Sequence, residues 1–263
     1  MVTERLAIQL LGEFRVSVGS RAIDERQWTS RQAKRLVKLL ALAPHHRLHR
    51  ERVIDRLWPD LDPEDGANNL HKLLYTARRI LEPDLPPRRA SSYLQLRHDL
   101  LRLTAPGGLW IDVEAFLAAA RAAHELQTPQ AYREALRLYS GDLVLEEHYE
   151  DWAIAQQAWL SGLRMTLLVR LAGVQEQSGD FSAAIDTLQQ AVASDPVHEE
   201  AQGMLMRLLV QTGRRHLALR HYQALRVVLQ RELDAEPNAR LQALYQDILD
   251  GPRHRGRAPR SSE

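Results

Sequence analysis

Hydrophobic and polar residues alternate at the start of the chain: Leu6, Ile8 and Leu10 share one side, and Phe14, Val16 and Val18 repeat the pattern after Gly12. A period of two predicts strands, and Gly19-Ser20 predicts the turn closing a small antiparallel sheet. The period then changes. Ala33, Leu36, Val37 and Leu40 recur at helical spacing, Thr29 to Gln32 has the composition of a capping box, and Pro44 ends the segment. A second, short helix is expected from about Arg50, presenting Val53, Ile54, Leu57 and Trp58 before Pro59. The third helix has the strongest start signal: Asp62 as cap, Pro63 at the first helical position, and Glu64 and Asp65 complementing the dipole. It is expected to run to about Leu81. After Pro83, Pro86 and Pro87, SSYLQLRHDLLRLT predicts a hairpin with Leu94 and Leu96 on one face and Tyr93, Gln95 and Arg97 on the other.

From Ile111 onward the periodicity is helical in almost every window. Residues 171–196 superimpose on 205–230 with a shift of 34, placing Leu171 on Leu205, Gly179 on Gly213, Ala184 on Ala218 and Leu188 on Tyr222. That is the tetratricopeptide period of two antiparallel helices, with Pro196 near the end of the first copy and Gln230 in the equivalent place of the second. The expected fold is mainly α: an N-terminal winged helix-turn-helix with a small β-sheet and wing hairpin over 1–108, then an all-α tetratricopeptide-like domain over 109–250. The basic stretch 251–263, which contains GPRHRGRAPR, lacks apolar periodicity and is expected to be a disordered tail.

On a helical wheel of the third helix, Leu70, Leu74, Ala77 and Leu81 form the buried stripe, and Asn68, Lys72, Tyr75 and Arg79 gather at the opposite pole. Thr76 and Asn69 flank that pole on one side and His71 on the other. No carboxylate follows Asp65 until Glu82. A solvated face interleaves Glu with Lys, whereas this one collects Asn, Tyr and Thr with its cations. Asn suits adenine, Lys or Arg suits guanine, and Thr suits a thymine methyl, so the inventory fits a DNA major groove.

Charge strengthens that reading. Residues 1–110 hold 19 Lys or Arg against 13 Asp or Glu, net +6, whereas 111–250 hold 12 against 20, net −8. A basic half joined to an acidic one fits a nucleic-acid-binding module attached to a partner domain. With 44% hydrophobic and 26% charged residues the chain is expected to be soluble, and with no membrane-length apolar run and no leader pattern, cytoplasmic. The absence of cysteine excludes disulfides and thiolate metal sites.

Other clusters carry less. His45, His46, His49 and Glu51 in PHHRLHRE lack the HExxH order, so the segment is read as a loop leading to the second helix and no metal or cofactor is expected. Glu146, Glu147, Glu150 and Asp151 around His148 point in several directions on a helix and are read as surface. No nucleophile motif or phosphate-cradling glycine loop stands out, and no enzyme is expected. The rival reading is a tetratricopeptide-like scaffold or signal sensor binding a peptide, protein or small anionic ligand, with Arg207, Arg214, Arg215, Arg220 and Arg226 as candidate contacts.

In sequence, LAIQLLGEFRVSV, TSRQAKRLVKLLALAP, ERVIDRLWPD and ANNLHKLLYTARRIL, followed by WIDVEAFLAAARAA, AYREALRLYSGDLV, EDWAIAQQAWL and the two repeats, resemble the SARP family of bacterial transcription activators. That family joins an OmpR-type winged helix to a bacterial transcriptional activator domain (BTAD), and the resemblance covers about residues 5–250. It implies a DNA-binding activator that recognises promoter direct repeats in double-stranded DNA and recruits RNA polymerase. A homodimer and a small-molecule effector stay open as further partners, and a membrane partner is not expected. Carried over by position, the resemblance gives base-reading roles to Asn68, Lys72, Tyr75, Thr76 and Arg79, and phosphate roles to Lys34, Arg35, Lys38, Arg50 and Arg97. The chain departs from the larger members in having no GxxxxGK[ST] motif.

Overall fold

The computed structural model describes residues 4–143 and 151–251, with the side chains of Asp151 and Trp152 outside the description. The acidic run before Asp151 and the basic tail therefore lie outside the described residues. Mainly helical, the chain divides into two compact units. One takes the described residues of Met1–Ala118 and Leu138–Leu160, the other those of Ala119–Arg137 and Ser161–Glu263.

In the first unit, strands β1 (Leu6–Gln9), β2 (Arg15–Val18) and β3 (Arg21–Ile23) form the antiparallel meander that the alternation predicts, with Leu6, Ile8 and Leu10 fully buried. Helix α1 (Arg31–Leu42) follows. Its cap is Ser30, whose side chain accepts from Ala33 N–H, and not Thr29; Gln32 donates instead to the Leu57 carbonyl. A capping box does occur, one element earlier, where Asp24 and Gln27 exchange bonds around a single 3-10 turn. Strand β4 (Arg47–His49), helix α2 (Arg50–Leu57) and helix α3 (Pro63–Leu81) come next, then β5 (Leu94–Arg97), β6 (Leu100–Leu103) and β7 (Leu109–Ile111).

Two strands depart from expectation. PHHRLHRE is not all loop: β4 pairs antiparallel with β6, so the wing is a three-stranded sheet in the order β4-β6-β5. The chain also returns at β7 to pair parallel with β1, which makes the first sheet four-stranded and mixed. Tyr93, expected on the hairpin face opposite Leu94 and Leu96, is 5% exposed.

Immediately after β7, α4 (Asp112–Leu126) begins at a buried carboxylate. Asp112 accepts from the N–H groups of Leu10, Leu11 and Val113 at 2.8–2.9 Å, tying the end of β1 to the helix start. Burial pushes its carboxyl pKa up, and the backbone donors pull it down by less.

The remaining helices are α5 (Pro129–Arg137), α6 (Asp151–Gln177), α7 (Phe181–Ser194), α8 (Glu199–Gln211), α9 (Arg215–Leu233) and α10 (Ala239–Asp250). In the second unit α7 packs on α8, α8 on α9, and α10 on both α8 and α9, around Leu188, Leu205, Leu209, Tyr222 and Leu225. The two repeats end their first helices identically. Gly179 and Gly213 have φ of +79° and +77°, and the next residue's N–H returns to a carbonyl five back, Asp180 to Gln175 and Arg214 to Leu209. An added Cβ at Gly213 would meet nothing within 4 Å, so the cost of Gly213→Ala is that of the left-handed backbone alone. We expect it to lower stability by about 1 kcal/mol, read as a lower urea midpoint with an unchanged slope. Among the described residues, no helix is long and apolar enough to cross a membrane.

Candidate nucleic-acid interface

Residues 58–62 link α2 to α3, and α3 starts as its sequence dictates. The Asp62 carboxylate accepts from Glu64 and Asp65 N–H at 3.0 Å each, and Pro63 occupies the first turn. Gly66 lets the two helices close together. A Cβ there would collide with Ile54 Cγ2. Leu70, Leu73, Leu74, Ala77, Ile80 and Leu81 are buried, which anchors the helix and fixes the side it turns outward.

On that outer side Asn68, Lys72, Tyr75 and Arg79 are all exposed, with His71 beside them, and Tyr75 is 69% accessible despite its aromatic ring. Thr76 is half-buried, and its hydroxyl donates to the Lys72 carbonyl at 3.1 Å. Arg79 donates from Nη1 to the Leu85 carbonyl at 3.3 Å. The neighbouring Arg78 is half-buried and turns toward the wing, where its Nε donates to the Leu94 carbonyl at 3.0 Å. Burial lowers its pKa, with Glu82 acting in the opposite sense.

At the wing tip His98 and Asp99 both have positive φ, 46° and 64°, as a two-residue turn between tightly paired strands requires. Arg97 is exposed beside this turn. Arg50 meets it from α2: the Arg50 N–H donates to the Asp99 carbonyl at 2.8 Å, and its Nε lies 3.2 Å from Asp99 Oδ1. The structure thus brings Arg50 and Arg97 to the same turn.

Three of the phosphate candidates on α1 fare differently. Lys38 is 1% exposed, with its ammonium 4.9 Å from the centre of the Phe14 ring, and this corrects its assignment to phosphate. Helix α1 packs against α2, α3 and β6, and every residue from Leu36 to Ala41 is buried, so a wheel with one wet face does not apply there. Lys34 pairs with Glu25 at 2.9 Å with its side chain 17% exposed, and Arg35 is half-buried, donating to Gln32 at 3.2 Å. Lys38→Met is therefore expected to leave the salt dependence of DNA binding unchanged, a point that titrations at several salt concentrations check.

Among the histidines, His46 approaches the Ala41 carbonyl at 3.2 Å and Glu114 at 3.4 Å, and His49 pairs with Glu51 at 3.5 Å. No group of three or more metal-ligating side chains gathers among the described residues. Of the arginines in the rival reading, Arg215 donates to the Ile248 and Leu249 carbonyls, capping α10, and Arg226 pairs with Glu236 at 3.2 Å. Arg207, Arg214 and Arg220 are exposed.

Comparison with known proteins agrees with this architecture. The model of the family described as bacterial transcriptional activator domain matches residues 111–249, just over half of the chain. The transcriptional regulator RedD of Streptomyces coelicolor is 27% identical over 223 residues, covering 83% of this chain and 64% of that protein. The regulatory protein DnrI of Streptomyces peucetius is 29% identical over 234 residues, covering 84% of each. The structure of Mycobacterium tuberculosis EmbR, solved with a low-affinity phosphopeptide, superimposes with a TM-score of 0.74 at 20% identity, over 94% of this chain and 65% of that one. The chain spans just under two thirds of the length of RedD and of EmbR. RedD and DnrI are regulators, and the EmbR likeness shows the shared fold of a winged helix with a helical, tetratricopeptide-like partner. The chain therefore belongs to the bacterial transcriptional activator domain family and, with its winged helix ahead of that domain, to the SARP type.

Proposed function

We propose that this chain is a sequence-specific DNA-binding transcription activator: a winged-helix module over 1–108 binds promoter direct repeats, and an activator module over 109–250 recruits RNA polymerase. The observation that carries the reading is the outer side of α3, where Asn68, Lys72, Tyr75 and Arg79 stand exposed opposite a fully buried stripe. Helix α3 enters the major groove, as the second helix of such a pair does, and its cations and amides meet base edges. Arg50 and Arg97, gathered at the wing tip, contact phosphate. Lys34 and Arg35 would reach phosphate only by releasing Glu25 and Gln32. The likeness to RedD and DnrI, both regulators, supports the assignment.

Selection of binding sites from random duplex DNA with the purified chain tests it. Enrichment of a motif repeated in the same orientation at about one helical turn is the expected result. Recovery of no motif at any salt concentration overturns the proposal in favour of a helical scaffold.

A further inference from the structure

Two arginines end α3, and they go separate ways. Arg79 is exposed, whereas Arg78 donates from Nε to the carbonyl of Leu94, the 1% exposed first residue of β5. The Leu94 N–H is held as well. It donates to Ser91 Oγ at 3.1 Å, as the Tyr93 N–H does at 3.2 Å. Ser91 is 2% exposed and gives its own hydroxyl proton to the carboxylate of Glu82, the residue that closes α3. Glu82 also accepts the Ser92 N–H at 3.1 Å. A serine hydroxyl has one donor and two acceptor positions, and Ser91 uses all three.

Both hydrogen-bonding groups of Leu94 therefore lead back to the last turn of α3. From the other side Arg21 on β3 donates to the Leu81 carbonyl at 2.7 Å, so that the same turn is fastened to the first sheet too. Arg97 lies three residues further along β5, about 10 Å at strand rise. Its place is thus set at one end by α3 and at the other by the Arg50–Asp99 contacts.

We propose that Arg78 and Glu82 are positioning residues that lock the wing to the recognition helix, so that Arg97 and α3 engage DNA as one rigid surface. Arg78 acts through Leu94, not by touching DNA. This rests on the reading of α3 and the wing as the DNA-binding face.

The test is a double-mutant cycle on the full chain, measuring affinity for a fluorescent duplex carrying the selected site at several salt concentrations. Arg97→Ala is expected to weaken binding roughly threefold to tenfold and to reduce the salt slope by about one. Arg78→Met is expected to reproduce that loss, and the double variant to bind no more weakly than Arg78→Met alone. Losses that multiply, an Arg78→Met variant that binds like the wild type, or an Arg97→Ala variant without effect each overturn the proposal. Glu82→Gln approaches the same lock without altering Arg78 and carries the test if Arg78→Met fails to fold; its loss must likewise fail to multiply with that of Arg97→Ala. Absence of site-specific binding by the wild type overturns the DNA reading itself, whereas wild-type binding with multiplying losses overturns only the lock.

Discussion

The Lys72→Ala variant is expected to bind its selected site about 1–3 kcal/mol more weakly, roughly 5- to 150-fold, and to relax discrimination at one base position. Lys72 is exposed on α3 one turn from Asn68, Tyr75 and Thr76, where a helix lying in the groove is closest to the base edges. Its neighbours are expected to cost less. Arg79 has to release the Leu85 carbonyl to reach DNA, which offsets its gain by about the 0.5–1.5 kcal/mol of an ordinary hydrogen bond. The Thr76 hydroxyl is engaged by the Lys72 carbonyl, so Thr76→Val, which keeps a methyl group, is expected to be nearly neutral. Anisotropy titrations against the selected site and its single-base variants separate these cases. If Lys72→Ala binds every variant duplex as the wild type does, Lys72 has no part in recognition.

The largest effect on stability is expected at Asp112. Replacement by alanine leaves the N–H groups of Leu10 and Leu11 without their acceptor, and these two residues are 0% and 1% exposed. Each unmade bond costs about 1–3 kcal/mol, so Asp112→Ala is expected to lose roughly 2–6 kcal/mol. The wild type adds a pH signature. Because burial raises the Asp112 pKa above the ordinary 3.8, the folded chain binds the proton more tightly than the unfolded one. Stability from this group is full below 3.8 and falls as pH rises through the window between 3.8 and the folded value. Asp112→Ala and Asp112→Asn both remove that slope, and Asn, which keeps one acceptor oxygen, is expected to lose less. Urea unfolding at a series of pH values starting below 3.8 and rising from there measures both quantities. An Asp112→Ala midpoint equal to that of the wild type would show that another group satisfies Leu10 and Leu11.

Helix α3 was legible because three signals agree at its start: a cap, a proline and an acidic first turn, followed by a stripe that repeats without interruption. The repeat at 34 residues was legible for a similar reason, since Gly179 and Gly213 occupy equivalent backbone positions. The missed strands have no such redundancy. In β4, Leu48 is the single buried position between exposed Arg47 and His49, and β7 is three apolar residues adjoining a helix. Both exist because distant partners supply their hydrogen bonds, which no local pattern encodes. The cap of α1 slipped by one residue because Thr29 and Ser30 have the same chemistry and only tertiary geometry separates them. Lys38 takes its phosphate role from its position in the resemblance, and that position is buried because α1 is enclosed by α2, α3 and β6 and by the ring of Phe14. Arg78 and Arg79 are adjacent and chemically identical, and the 100-degree step between them sends one to the wing and the other to the surface.

The scarcity of lysine gives the chain a built-in chemical handle. Arginine outnumbers it 32 to 3. Lys38 is enclosed and Lys34 is largely covered and engaged with Glu25, so Lys72 is the lysine whose amine stands open to solvent. An amine-selective acylating reagent used sparingly will label that side chain ahead of the other two. Mass spectrometry of the labelled chain, with and without duplex DNA, then reports occupancy of the α3 surface from the native sequence, without substituting a residue.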